Sequence, residues 1–83
     1  MTAWLRVRVS KGMFSDELVV TYPATTGPCQ ACVFVPLSEV RREGEHGGAV
    51  RVAVAVQDGV SYARLPTNYG DIVKVDHADL TQQ

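Results

Sequence analysis

The sequence is short of most of the residues from which active sites are built. Its 83 residues hold two histidines, two cysteines and one tryptophan. The histidines have no recognisable catalytic companions. Ser10, Ser15, Ser38 and Ser61 lie in no nucleophile elbow. Glycine occurs in no phosphate-cradling pattern. An enzyme is therefore not expected, nor a cofactor. No apolar run approaches the roughly 18 residues of a membrane-spanning helix. The opening MTAWLRVRVS lacks the apolar block of a signal peptide, so a cytoplasmic location is expected. The formal net charge of −1 gives no global pull toward nucleic acid or anionic lipid.

What is present is β-strand pattern, strongest in Ala49 to Pro66, AVRVAVAVQDGVSYARLP. Val50, Val52, Val54 and Val56 fall at every second position, the period of a strand whose side chains alternate between two faces. Asp58-Gly59 suits the positive φ angles of a type I′ turn. A two-residue turn sets Gln57 against Val60, Val56 against Ser61, Val54 against Ala63 and Val52 against Leu65. One face, Val50, Val52, Val54, Val56, Ala63 and Leu65, should be core. The other carries Arg51, Ala53, Ala55, Gln57, Val60, Tyr62 and Arg64. Cross-strand neighbours on a face lie about 5 Å apart, so two alanines beside Tyr62 and the arginines make a shallow, partly apolar surface.

Other strands are expected over Trp4–Ser10, Leu18–Tyr22, Cys29–Val35 and Ile72–Asp76. Val7, Val20 and Val35 should join Val52, Val54 and Leu65 in the core. Phe14, in the loop Lys11–Glu17, is expected to plug one end of it. Pro23–Pro28 and Thr67–Asp71 read as turns. Ser38–Arg42 reads as a short helical turn with Ser38 as N-cap, Glu43–Gly48 as a polar loop, His77–Leu80 as a closing turn and Thr81–Gln83 as a frayed tail. A faint echo recurs at a spacing of 40 residues. Val20-Thr21-Tyr22 returns as Val60-Ser61-Tyr62, Val33-Phe34-Val35 as Val73-Lys74-Val75, and Ser38-Glu39-Val40 as Ala78-Asp79-Leu80. Duplication accounts for it, and so does the same geometric problem solved twice.

Together these elements predict one small all-β domain over residues 1–83, a five- to six-stranded barrel or compact sandwich with short helical turns. The order of strand, long loop, hairpins, helical turn and last strand resembles an SH3-like small barrel. Lys11-Gly12 and Gly70-Asp71-Ile72-Val73-Lys74-Val75 resemble the strand ends of KOW-type barrels. The KOW glycine arrangement is incomplete, so that family's RNA-binding role does not carry over. The run KGMFSDE, with FVP further on, resembles short bacterial proteins, a likeness that implies no activity.

The one motif with potential chemistry is Cys29-Gln30-Ala31-Cys32. Zinc would need two further ligands, and only His46 and His77 are available. A redox role would need the first cysteine at a helix N-terminus, where here a strand follows. Two free structural thiols are expected, with Cys32 toward the core; metal binding and a disulfide are the lesser alternatives. Two function classes remain. The first is a protein-interaction or accessory module, self-association included, presenting the aromatics Trp4, Tyr62 and Tyr69. The second is single-stranded nucleic-acid binding, with Arg6, Arg8, Arg51 and Arg64 on phosphates and Trp4 and Tyr62 stacking on bases. One shared exposed face of aromatics and arginines favours the second; a covered Trp4, or separated groups, favours the first.

Overall fold

The computed structural model describes residues 2–24, 28–67 and 69–82. The middle of the turn expected at Pro23–Pro28, Asn68 of the next turn, and Gln83 lie outside the described residues. The chain is all β, a nearly closed barrel with, among the described residues, two 3-10 turns between strands. Its strands are β1 (Thr2–Lys11), β2 (Glu17–Tyr22), β3 (Ala31–Pro36), β4 (Val40–Glu43), β5 (Gly47–Gln57), β6 (Val60–Arg64), β7 (Ile72–Val75) and β8 (Leu80–Thr81). The turns are η1 (Leu37–Glu39) and η2 (His77–Asp79). Along the sheet the order is β3-β2-β1-β5-β6-β7, with β4 added to β5 and β8 added to β1.

The central hairpin forms in the expected register, with Gln57 against Val60, Val54 against Ala63 and Ala53 against Arg64. Asp58 and Gly59 take φ angles of 53° and 76°, as a type I′ turn requires. Val7, Val20, Val35, Val52, Val54 and Leu65 are all buried. Alternation places them there: in β1 the odd residues Ala3, Leu5, Val7 and Val9 point inward, and in β5 the even residues Val50, Val52 and Val54 do so.

Three expectations about packing are corrected. Val56 is 64% exposed, because β1 reaches only as far as Ala53 along β5 and the hairpin tip projects beyond the barrel. Phe14 is 67% exposed, since the loop between β1 and β2 stands clear of the barrel end. Cys32 is exposed, because the inner face of β3 is taken by Val33 and Val35. The helical turn is η1 alone, capped by no side chain. Val40 to Glu43 leave it as a strand, and Gly47 and Gly48 already belong to β5. Gly48 permits this close pairing: a β-carbon there would stand 2.7 Å from the Arg41 carbonyl oxygen. Thr81, assigned to the tail from sequence, is paired with Trp4 in β8.

The pairing pattern repeats itself about the β1–β5 contact. β1, β2, β3, η1 and β4 in the first half correspond to β5, β6, β7, η2 and β8 in the second. Each half sends its last strand across to the first strand of the other half. Val40 pairs with Val50, and Leu80 pairs with Leu5. The ladders align Leu5 with Val50, Val9 with Val54, Val20 with Ala63 and Tyr22 with Leu65. The 40-residue echo therefore holds for Val33/Val73 and for Ser38-Glu39-Val40/Ala78-Asp79-Leu80. For Val20-Thr21-Tyr22 it slips by three residues, because the turns in the second half are shorter.

Tyr22 breaks the symmetry. It is 3% exposed, and its hydroxyl accepts the Asp76 N–H at 2.9 Å and donates to Asp79 Oδ2 at 2.8 Å. In the other half, Leu65 takes the place of Tyr22 and Pro36 that of Asp76. Where the core offers no hydroxyl, the backbone offers no N–H.

Truncation separates the two valines of the hairpin. Val54→Ala should cost about 1–3 kcal/mol in a urea titration, and Val56→Ala less than about 0.5 kcal/mol. Equal effects would place the barrel end elsewhere. Tyr22 predicts a pH dependence. Burial raises its hydroxyl above the ordinary value of 10.0, with Asp79 and Asp76 pushing the same way and the Asp76 N–H bond opposing. The fold thus favours the protonated phenol. That stability is complete below about pH 10 and is lost as pH rises through the higher folded-state value. Tyr22→Phe should cost about 1–2 kcal/mol at neutral pH and should show a shallower fall in Tm above pH 10 than the parent. The difference between the two curves belongs to Tyr22.

Candidate functional site

The six residues singled out from sequence all face outward, but the structure divides them into groups. Trp4 lies directly across from Arg51, and both stand on the barrel's outer surface. Arg41, from β4, brings its guanidinium carbon 4.6 Å from the Trp4 ring centroid, and Arg51 stands at 5.5 Å. The indole is half-buried beneath these cations, a favourable cation–π arrangement. Arg6, two residues along β1, donates to Asp79 Oδ1 at 3.0 Å. Arg51 faces Glu39 at 3.8 Å.

Tyr62 and Arg64 form a second group. Tyr62 is paired with Ala55 on one side and Lys74 on the other; Arg64 is paired with Ala53 and Ile72. Ala53, Ala55 and Ile72 are exposed and Tyr62 is half-buried, so an apolar strip crosses β5, β6 and β7 between basic side chains. Tyr62 is four residues along β5 from the Trp4 row, about 13 Å at strand spacing. Arg8 is farther still. It pairs with Gly47, eight residues from the partner of Tyr62 and about 26 Å along the strand. The arginines and aromatics thus do not form one continuous stacking track.

Sequence reasoning missed Arg41, Glu39, Tyr22 and Asp79. The echo carried a signal for the two acids. Glu39 and Asp79 are its 40-residue equivalents, and each pairs with an arginine in the opposite half, Arg51 and Arg6. These ion pairs occupy symmetry-related places and tie each 3-10 turn to the far half's first strand. The Asp79 pair is the stronger, because Asp79 is well covered and also receives the Tyr22 hydroxyl.

The cysteine and histidine candidates do not converge. Cys29 and Cys32 are exposed free thiols, and the Thr21 hydroxyl approaches Cys32 Sγ at 3.7 Å. His46 is exposed beside Glu45 at 3.9 Å, and His77 is an exposed member of η2. Among the described residues, no group of three or more His, Cys, Asp or Glu is placed to hold a metal ion. No helix among them is long and apolar enough to cross a membrane.

Removing the acids should show the asymmetry between the two pairs. Asp79→Ala should cost about 1–3 kcal/mol, because it strips a buried hydroxyl and an arginine of their acceptor. Glu39→Gln, a wide and exposed pair, should cost less than about 0.5 kcal/mol. Denaturant titrations of both variants check this, and the reverse order would mean that η2 is not held through Asp79. Compared with protein-family models, curated proteins and solved structures, the chain matches none of them.

Proposed function

We propose that this protein is a non-enzymatic protein-interaction module whose partner docks on the outer face of β5, β6 and β7. The observation that supports it is the strip of Ala53, Ala55, Tyr62 and Ile72 on a regular sheet, bordered by Arg64 and Lys74. The alanines leave a shallow floor, and Tyr62 stands over it as a rigid anchor with a polar tip. No hydrogen bond or ion pair to another described residue engages the charged ends of Arg64 and Lys74, so both can meet acidic groups at the rim of a partner.

Single-stranded nucleic-acid binding is the competing reading. The Trp4 arrangement weighs against it. The ring lies under Arg41 and Arg51, Arg6 is paired with Asp79, and Tyr62 lies in a separate group. A base could stack on Trp4 only by displacing cations that its own phosphates would need.

Affinity capture with the parent protein and with Tyr62→Ala tests the proposal. The variant should bind the captured partner more weakly by about 2 kcal/mol, some thirtyfold, with Tm nearly unchanged. Charge reversal at Arg64 should slow association and alter its salt dependence more than it shortens residence. Fluorescence anisotropy with oligo(dT) should show no binding at physiological salt. Micromolar binding lost in Trp4→Ala would replace this reading with the nucleic-acid one.

A further inference from the structure

The barrel is not closed by a ladder. Among the described residues, β3 pairs only with β2, and β7 pairs only with β6. The direction in which their main-chain groups point follows from the turns beside them. Leu37 N–H donates to the Asp16 carbonyl at 2.9 Å, which continues the β2–β3 ladder by one hydrogen-bonded pair. Because such pairs alternate, Val35 and Val33 bond to β2, and the N–H and C=O groups of Phe34 and Cys32 face away from it. Likewise Leu65 N–H donates to the Asp71 carbonyl at 2.8 Å, so Val73 and Val75 bond to β6 while Ile72 and Lys74 face the other way. Asp76 is next in that outward series, and its N–H is taken by the Tyr22 hydroxyl. The seam between β3 and β7 is therefore fastened at the Tyr22–Asp76 end and unladdered along the rest.

A groove opens beside the free edge of β3, between that strand and the turn from β6 to β7. It consists of two adjoining hollows that share Phe34 and Thr67, one lined also by Pro36 and Pro66 and the other by Tyr69. Phe34 is 50% exposed and Tyr69 92% exposed. Among the described residues, the charged ones that line it are acidic: Asp16, Glu17 and Asp71. None of the three forms a salt bridge with a described residue, and Asp71 is oriented by the Thr67 hydroxyl at 2.6 Å.

We infer that this groove binds an extended peptide in which apolar and basic residues alternate, added as a strand to the free edge of β3. The Phe34 and Cys32 main-chain groups supply the ladder; the apolar side chains take the inward side beside Val33 and Val35, and the Lys or Arg side chains take the outer side, which Phe34 shares with Glu17, with Asp16 and Asp71 also lining the groove. The alternation is required because successive residues of a strand point to opposite sides. This site is distinct from the outer face of β5–β7 and does not depend on it.

The test uses the heptapeptide VRVRVRV, its acidic counterpart VEVEVEV, and a version of the first N-methylated at alternate residues. Titrated into the full chain and followed by NMR, VRVRVRV should shift the Cys32 and Phe34 amides and slow their hydrogen exchange. The other two peptides should bind at least tenfold more weakly. Phe34→Ala should weaken binding tenfold or more, and Asp16→Asn with Glu17→Gln should reduce both affinity and its salt dependence, while Tyr62→Ala leaves binding unchanged. Equal affinity for the N-methylated peptide would overturn strand addition. Shifts confined to Tyr62 and Ile72 would overturn the site while leaving the outer-face reading in place. Protection of the Cys32 and Phe34 amides that grows with protein concentration, without peptide, would overturn it by giving the edge to a second copy.

Discussion

The antiparallel contact between β1 and β5 is the constraint on which the rest of the barrel depends. It runs from Thr2 against Ala53 to Arg8 against Gly47, and it brings Leu5 and Val50 together at the centre of the core. These are the first strands of the two halves. Each also receives the other half's last strand, so a single ladder fixes three pairings at once. The inward residues of β1 and β5 are small and medium-sized aliphatics, with Gly48 where strands crowd. A core this small has little surface to bury, and the repeat makes each residue's burial serve both halves.

Polar interactions reinforce that exchange without entering the core. No polar or charged residue is buried among those described. The two arginines nearest the centre, Arg6 and Arg51, reach instead to the acids that begin the returning arms. On one side the arm gains a further anchor from Tyr22. On the other, Leu65 and Pro36 stand in the equivalent places and offer neither a hydroxyl nor an N–H. The asymmetry at these equivalent positions thus decides which of the two arms is held by hydrogen bonds to a core side chain.

Much of this was legible in the residues. Alternation and the Asp58-Gly59 turn were enough to specify the central hairpin and its register, because both are local. Strand β4 was not legible: Val40-Arg41-Arg42-Glu43 has one apolar residue and becomes a strand only because β5 lies beside it. Val56 and Phe14 misled for a related reason. A pattern shows which face a side chain takes but not where the neighbouring strand stops. The ion pair of Arg6 and Asp79 spans 73 positions in the chain, and only the echo hinted at it.

The exchange of last strands has a consequence for how such a chain could arise. A single half of about 40 residues would hold three strands and an arm with nothing of its own to pair against. Two identical copies would satisfy each other, each lending its arm to its neighbour about a two-fold axis. Fusing them end to end would convert a symmetric dimer into one polypeptide and free each half to diverge. Tyr22 and Asp76 on one side, Leu65 and Pro36 on the other, are the kind of paired difference that becomes accessible only after fusion, when a change in one half no longer has to be tolerated twice.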